Sequence, residues 1–84
     1  MPEAEIGKVT HYFGKISVAL IELSADLKVG DDIHIKGSTS DLIQQVSSMR
    51  IEFKDVTEAK PGDVIGTKVS QKVHTGDKVF KVTE

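Results

Sequence analysis

The sequence predicts an all-β protein whose strands close into a barrel, and three observations predict it. Ten Val and eight Ile stand against four Leu and four Ala in 84 residues; a branched Cβ stiffens the side chain and suits a pleated surface better than a helix. Six short runs of β-type pattern are separated by turn clusters, with no long helical period between them. One turn frame, apolar-x-x-Gly-Asp-x-(Ile/Val), occurs three times. A chain of many short strands that closes on itself leaves no exposed edge.

Residues 1–5 are polar and read as a flexible tail, so one domain is expected over residues 6–84. Residues 6–12 read as the first strand and Gly14-Lys15 as a tight connection. Residues 16–23 form a second strand apolar on both faces, with Ile16, Val18 and Leu20 on one side and Ala19, Ile21 and Leu23 on the other. Such a segment is expected to be covered on both sides. Residues 32–36 alternate, placing Ile33 and Ile35 inward and Asp32, His34 and Lys36 outward. Gly37-Ser38-Thr39-Ser40 reads as a turn. Residues 42–53 fit an amphipathic helix through Leu42, Val46 and Met49. They also fit a bent strand whose inward set passes from Val46 to Met49, Ile51 and Phe53 across a bulge. The weak helix formers between them and the β neighbours on both sides favour the bent strand. Residues 64–69 and 78–82 complete six strands.

Composition removes several function classes. The absence of Cys excludes a disulfide framework, thiolate metal sites and a cysteine nucleophile, and it fits a reducing, cytoplasmic setting. Eleven basic residues against thirteen acidic ones give a net charge of −2, so no global positive field gathers nucleic acid. The longest uncharged run, residues 42–49, holds two Gln and two Ser. A membrane span needs about 20 apolar residues, so no membrane partner is expected. No apolar signal core follows the N-terminal residues.

The repeated frame runs over residues 27–33, 59–65 and 73–79. Chance pairing of seven Gly with seven Asp in this length gives about 0.6 Gly-Asp dipeptides, in a chain where they mark turns; three occur in one frame. Gly supplies the positive φ that redirects the chain, and the Asp carboxylate accepts turn N–H groups. The apolar residue three before Gly and the Ile or Val three after it both point inward. Gly30, Asp31, Gly62, Asp63, Gly76 and Asp77 are therefore structural turn residues.

In that frame the segment from Leu27 to Gly37 resembles the Leu-x-x-Gly-Asp-x-(Val/Ile)-x-Ile-x-Gly signature of domain 2 of elongation factor Tu-type translational GTPases. Residues 46–49 resemble its following strand, and residues 56–66 (Val-Thr-Glu-Ala-Lys-Pro-Gly-Asp-Val-Ile-Gly) its second turn segment. A closer likeness is to the C-terminal barrel of collagenase-like peptidases; small stand-alone relatives are described as translation elongation factor-like proteins. The resemblance implies a six-stranded, closed antiparallel Greek-key barrel of the translation-factor domain 2 type.

No Gly-x-x-x-x-Gly-Lys-(Ser/Thr) loop is present, so the chain alone is not expected to bind or hydrolyse GTP. His11, His34 and His74 lack metal-ligand spacing and read as surface residues. Seven Ser offer no nucleophile elbow, and no carboxylates form an evident acid–base couple. No catalytic residue, metal or cofactor is expected. The densest unusual stretch, residues 10–15, sets His11, Tyr12, Phe13 and Lys15 around Gly14. Aromatic faces beside a cation suit stacking on a base or anchoring a protein, while the plain structural reading lets Tyr12 or Phe13 close the barrel end. Four Lys from residue 68 onward, Lys68 and Lys72 among them, outnumber Asp77 and Glu84. They suit either an edge protected from aggregation or a small phosphate-contacting patch.

The sequence therefore leads to a non-enzymatic adaptor, translation elongation factor-like. It is expected to contact RNA (tRNA or rRNA), or a protein of the translation or RNA-modification machinery, through His11, Tyr12, Phe13, Lys15, Lys68 and Lys72. The alternative is a biotinyl- or lipoyl-type carrier, disfavoured because Arg50 stands where the acceptor Lys belongs. An OB-type nucleic-acid binder ranks last, because the aromatic ladder of such folds is missing.

Overall fold

The computed structural model describes residues 3–37 and 41–82. Ten strands follow in order: β1 (Glu3–Phe13), β2 (Val18–Leu23), β3 (Leu27–Lys28), β4 (Asp32–Lys36), β5 (Asp41–Gln45), β6 (Met49–Ile51), β7 (Lys54–Val56), β8 (Glu58–Ala59), β9 (Val64–Lys68) and β10 (Lys78–Val82). Eight of them form one antiparallel sheet ordered β5-β4-β10-β1-β2-β9-β6-β7, and β3 pairs with β8 in a separate ribbon. The all-β, antiparallel expectation holds. No helix of the described residues is long and apolar enough to cross a membrane.

The three Gly-Asp turns share one geometry. Gly30, Gly62 and Gly76 sit at φ of 101°, 93° and 94°. Asp31, Asp63 and Asp77 each accept the backbone N–H three residues earlier on Oδ2, at 2.9 Å in every case. Each aspartate also returns its own N–H to that residue's carbonyl. The flanking apolar residues (Leu27 and Ile33, Ala59 and Ile65, Val73 and Val79) are all buried. Leu27 and Ala59 face each other across the antiparallel β3–β8 ribbon, so the first two turns lie at its opposite ends.

The expected closed barrel of six strands is corrected to an open sheet. Closure requires β5 to pair along its outer edge, and the chain leaves that edge early. Val46 donates to the Asp31 carbonyl and accepts from Gly30 N–H, which carries the β4–β5 ladder one step further on the inner side and pairs nothing along the outer edge. The chain resumes as the separate β6–β7 hairpin, which registers with β9 through one pair, Arg50 with Gly66. The bent strand expected over residues 42–53 is thus two strands with a break at residues 46–48. Val46 and Met49 are buried as expected, but Ile51 is only half-buried and Phe53 is 97% exposed at the hairpin tip.

Other boundaries move as well. Glu3, Ala4 and Glu5, expected in a frayed tail, pair with Val82, Lys81 and Phe80 as the start of β1. Ile16, expected in the second strand, lies exposed in the β1–β2 turn, and β2 begins at Val18. Only one face of β2 is fully covered: Ala19, Ile21 and Leu23 are buried, while Val18 and Leu20 are half-buried. The turn expected at residues 37–40 has Ser38, Thr39 and Ser40 outside the described residues.

Candidate functional site

The site is built on β1, β2 and β9, whose register sets a line of side chains on the outer face. Directly opposed residues in an antiparallel pair point to the same side. After an irregularity between Val9 and His11, His11 faces Leu20 and Phe13 faces Val18. Leu20 in turn faces Gly66, and Val18 faces Lys68. The outer face therefore presents His11, Phe13, Val18 and Leu20, with Lys68 of β9 beside Val18 and Arg50 of β6 beyond Gly66, both on the β9 side.

The irregularity is what gathers these residues. Val9 and Ile21 oppose each other in the core, and one extra residue, Thr10, returns His11 to the outside. Thr10 Oγ1 donates to the Leu20 carbonyl at 3.3 Å, which pins the bulge. The His11 and Phe13 rings lie 4.4 Å apart at 59°, a tilted pair. A Cβ at Gly66 would meet Leu20 and Val18 side chains at 3.4 and 3.5 Å, so these two side chains reach over the glycine. The result is a shallow apolar strip of aromatic and aliphatic groups with Lys68 and the Asp55-paired Arg50 along its β9–β6 side. It suits a segment carrying an apolar residue and a carboxylate.

Of the six residues singled out from the sequence, the sheet brings three together on this face: His11, Phe13 and Lys68. Tyr12 opposes buried Ala19 and packs against the core instead, as its alternation with Phe13 demands. Lys15 lies exposed in the β1–β2 turn and Lys72 exposed in the connection between β9 and β10; neither is in register with the face.

A second polar cluster escaped the sequence reading. His34, expected on the surface, is 7% exposed on the outer side of β4. Its Nδ1 meets Glu3 Oε2 at 2.7 Å and its Nε2 meets Asp41 Oδ1. Lys36 Nζ lies 3.5 Å from Glu3 Oε1 and 5.5 Å from the centre of the Phe80 ring. The hydrogen bond to Asp41 holds the His34 imidazolium above its ordinary range, against desolvation, with Glu3 adding to the effect. The bond to His34 holds the Glu3 carboxyl below its ordinary range. Asp41 lies seven residues beyond His34 and opposes Lys36, so it reaches the imidazole from a diagonal position that only the β4–β5 register reveals. Glu3 was hidden by the expectation of a tail. Among the described residues, no group of three or more His, Cys, Asp or Glu is arranged to hold a metal.

The carrier alternative loses its anchor here. Arg50 is not at a hairpin tip but within β6, paired with Asp55 at 2.8 Å, and the tip itself is Glu52-Phe53.

No family model matches the chain. Over 81 residues it is 46% identical to the uncharacterized protease MJ0090 of Methanocaldococcus jannaschii, a match covering 95% of the chain and 20% of that protein. Over 78 residues it is 37% identical to a collagenase of Porphyromonas gingivalis, covering 90% of the chain and 22% of the collagenase. The chain thus spans about a fifth of the length of the curated relatives it matches. Among solved structures, the C-terminal domain of a U32 peptidase of Geobacillus thermoleovorans superposes with a TM-score of 0.89 at 17% identity. That match covers 94% of this chain and 92% of that one. These matches correct the elongation-factor reading: the likeness to collagenase-like peptidases stands, and the translation-factor adaptor with its RNA partner does not. They also stand against the expectation of a non-enzymatic adaptor, since the relatives are named protease and collagenase. The chain shares its fold with the C-terminal domain of a U32 peptidase and its sequence with proteins named protease and collagenase.

Proposed function

We propose that this chain is a peptidase-associated β domain, which works on polypeptide together with a peptidase catalytic unit. The observation that carries the reading is the 46% identity, along nearly the whole chain, to one fifth of a protein named a protease. The outer face fits the role chemically. An apolar strip of Phe13, Val18 and Leu20 with Lys68 beside it suits a partner surface or substrate segment with apolar and acidic side chains. On this reading the domain of residues 6–84 extends back to Glu3, and its lack of Cys fits work in the cytoplasm.

The test is a graft. The segment of the Porphyromonas gingivalis collagenase that matches this chain is deleted, then replaced by residues 3–82, and hydrolysis of a denatured polypeptide is measured. Deletion is expected to lower hydrolysis and the graft to restore it, with Phe13→Ser plus Lys68→Glu in the graft removing most of the restoration. A deletion without effect, or a folded graft that restores nothing, overturns the reading.

A further inference from the structure

The open sheet has a seam, and one side chain bridges it. On one side stands β5, last in the order of the main sheet; on the other, the chain leaving β9 at residues 68–70. Gln44 Nε2 donates to the Lys68 carbonyl at 2.8 Å, and Gln44 Oε1 accepts Ser70 N–H at 2.9 Å. A side-chain amide here makes the two bonds that a peptide group of a neighbouring strand makes: one donated, one accepted, to two residues of alternate register.

One side chain spans the seam. A glutamine amide stands at most about 5 Å from its own Cα, and its hydrogen bond adds 2.8 Å. The Lys68 carbonyl oxygen is thus within about 8 Å of the Gln44 Cα. A strand added to the outer edge of β5 would lie about 4.8 Å from it, on the side where Gln44 meets Lys68 and Ser70. A cleft of about 370 Å³ lies at this place, lined by Gln44, Gln45, Ser47 and residues 68–70.

The exposed edge is also correctly poised. Val46 exchanges its backbone bonds with Gly30 and Asp31, on the β4 side. Alternate residues direct their backbone groups to the same side, so Leu42 and Gln44 face β4 while Asp41, Ile43 and Gln45 turn theirs toward the seam. Ile43 is 61% exposed on the outer surface beside this edge, an apolar contact for an alternate side chain of an incoming strand.

We propose that the seam between β5 and residues 68–70 takes up an extended polypeptide segment, which pairs with the outer edge of β5 and displaces the Gln44 amide from Lys68 and Ser70. The inference rests on the peptidase-associated reading and deepens it, naming extended peptide backbone as the ligand and strand addition as the mode of recognition. Gln44 is a placeholder: it satisfies two backbone groups while the seam is empty and swings aside when a peptide amide replaces it.

The test uses the isolated 84-residue chain, so its failure is separable from failure of the graft. An acetylated, amidated eight-residue peptide of alternating Val and Thr is titrated while backbone amide resonances are followed. Shifts confined to residues 41–47 and 68–70, with a dissociation constant in the millimolar range or below, are expected. Gln44→Ala, which removes the competing amide, is expected to tighten binding at least threefold, and the same peptide N-methylated at alternate positions is expected to lose binding at least tenfold. Gln44 is only partly buried and outside the hydrophobic core, and an unchanged circular dichroism spectrum establishes that the variant folds. Absence of shifts up to 10 mM peptide, shifts elsewhere on the domain, equal binding of the N-methylated peptide, or weaker binding by Gln44→Ala each overturn the proposal.

Discussion

The two ends of the main sheet are held in different ways. At the β5 end, all five residues pair with β4, buried His34 ties Asp41 of β5 to Glu3 of β1, and Gln44 reaches across to Lys68 and Ser70. The bonds to Glu3, Lys68 and Ser70 join residues distant in sequence. At the β7 end, three registered pairs and one exposed ion pair, Arg50 with Asp55, hold a short hairpin. Its tip places Glu52 and Phe53 at φ of 51° and 67°, a left-handed conformation that Gly or Asn adopts at lower cost. The first end is coupled to the global fold and to protonation. The second is a local unit, of the kind that opens by itself.

The largest expected effect is the one that spares neither end. Gly62 sits at φ 93° with open space around its missing Cβ, and its N–H donates to the Leu23 carbonyl at 2.8 Å. Gly62→Val is opposed by backbone conformation alone and should cost on the order of 1–3 kcal/mol in chemical denaturation. Amide exchange should quicken at both ends alike; unchanged stability removes the argument from the turn. The next effect separates the ends. His34→Gln should cost about 1–2 kcal/mol at pH 6 and leave the β6–β7 hairpin as protected as before. The sign with pH follows from the two shifts. His34 is raised above 6.5, so its contribution is complete below 6.5 and is lost as pH rises through the raised value. Glu3 is lowered from 4.5, so its contribution is present above 4.5 and is lost as pH falls through the lowered value. The cluster of His34, Glu3, Lys36 and Asp41, with Phe80 beside it, thus stabilises most between pH 4.5 and 6.5. A pH scan of the unfolding midpoint should fall above 6.5 in the parent and flatten in His34→Gln; parallel curves would detach the histidine from the pH dependence.

What was legible in the sequence follows the same division. The Gly-Asp turns were legible because φ, carboxylate acceptor and flanking apolar residues all act within seven positions. Leu27, Ala59 and Val73 are buried where that frame places them. The pairing of His11 and Phe13 on one face follows from strand alternation, while their alignment with Lys68, more than fifty residues away, needs the β1–β2–β9 register. The His34 cluster was hidden because a buried polar residue has the same alternation as an exposed one; only its partners on β1 and β5 tell them apart. The closed barrel failed for a related reason. Composition and turn spacing count strands, but whether the two edges, β5 and β7, meet depends on register between segments far apart in the chain.

The hairpin tip offers a change in the opposite direction. Replacing Glu52-Phe53 by Asn-Gly supplies the residues that a two-residue turn with positive φ favours, and should stabilise the domain by about 0.5–1 kcal/mol. The gain should come from slower opening of residues 49–56, with exchange at β5 unchanged. A loss of stability would show that Phe53, although 97% exposed, makes a contact the fold depends on.

The smallest expected effect sharpens the contrast between the two polar devices. Arg50 Nε and Asp55 Oδ1 are 2.8 Å apart, yet both side chains are mostly in solvent. Water and salt screen such a pair, so Arg50→Ala should change stability by no more than about 0.5 kcal/mol at low ionic strength and by less in 1 M salt. The His34 cluster differs because its imidazole is shielded, and the cost of His34→Gln should survive 1 M salt largely intact. Unfolding free energies of both variants at low salt and at 1 M decide the matter. An Arg50→Ala loss that matches His34→Gln, or a His34→Gln loss that vanishes in salt, would erase the distinction between an end clasped by shielded charge and an end held only by its turn.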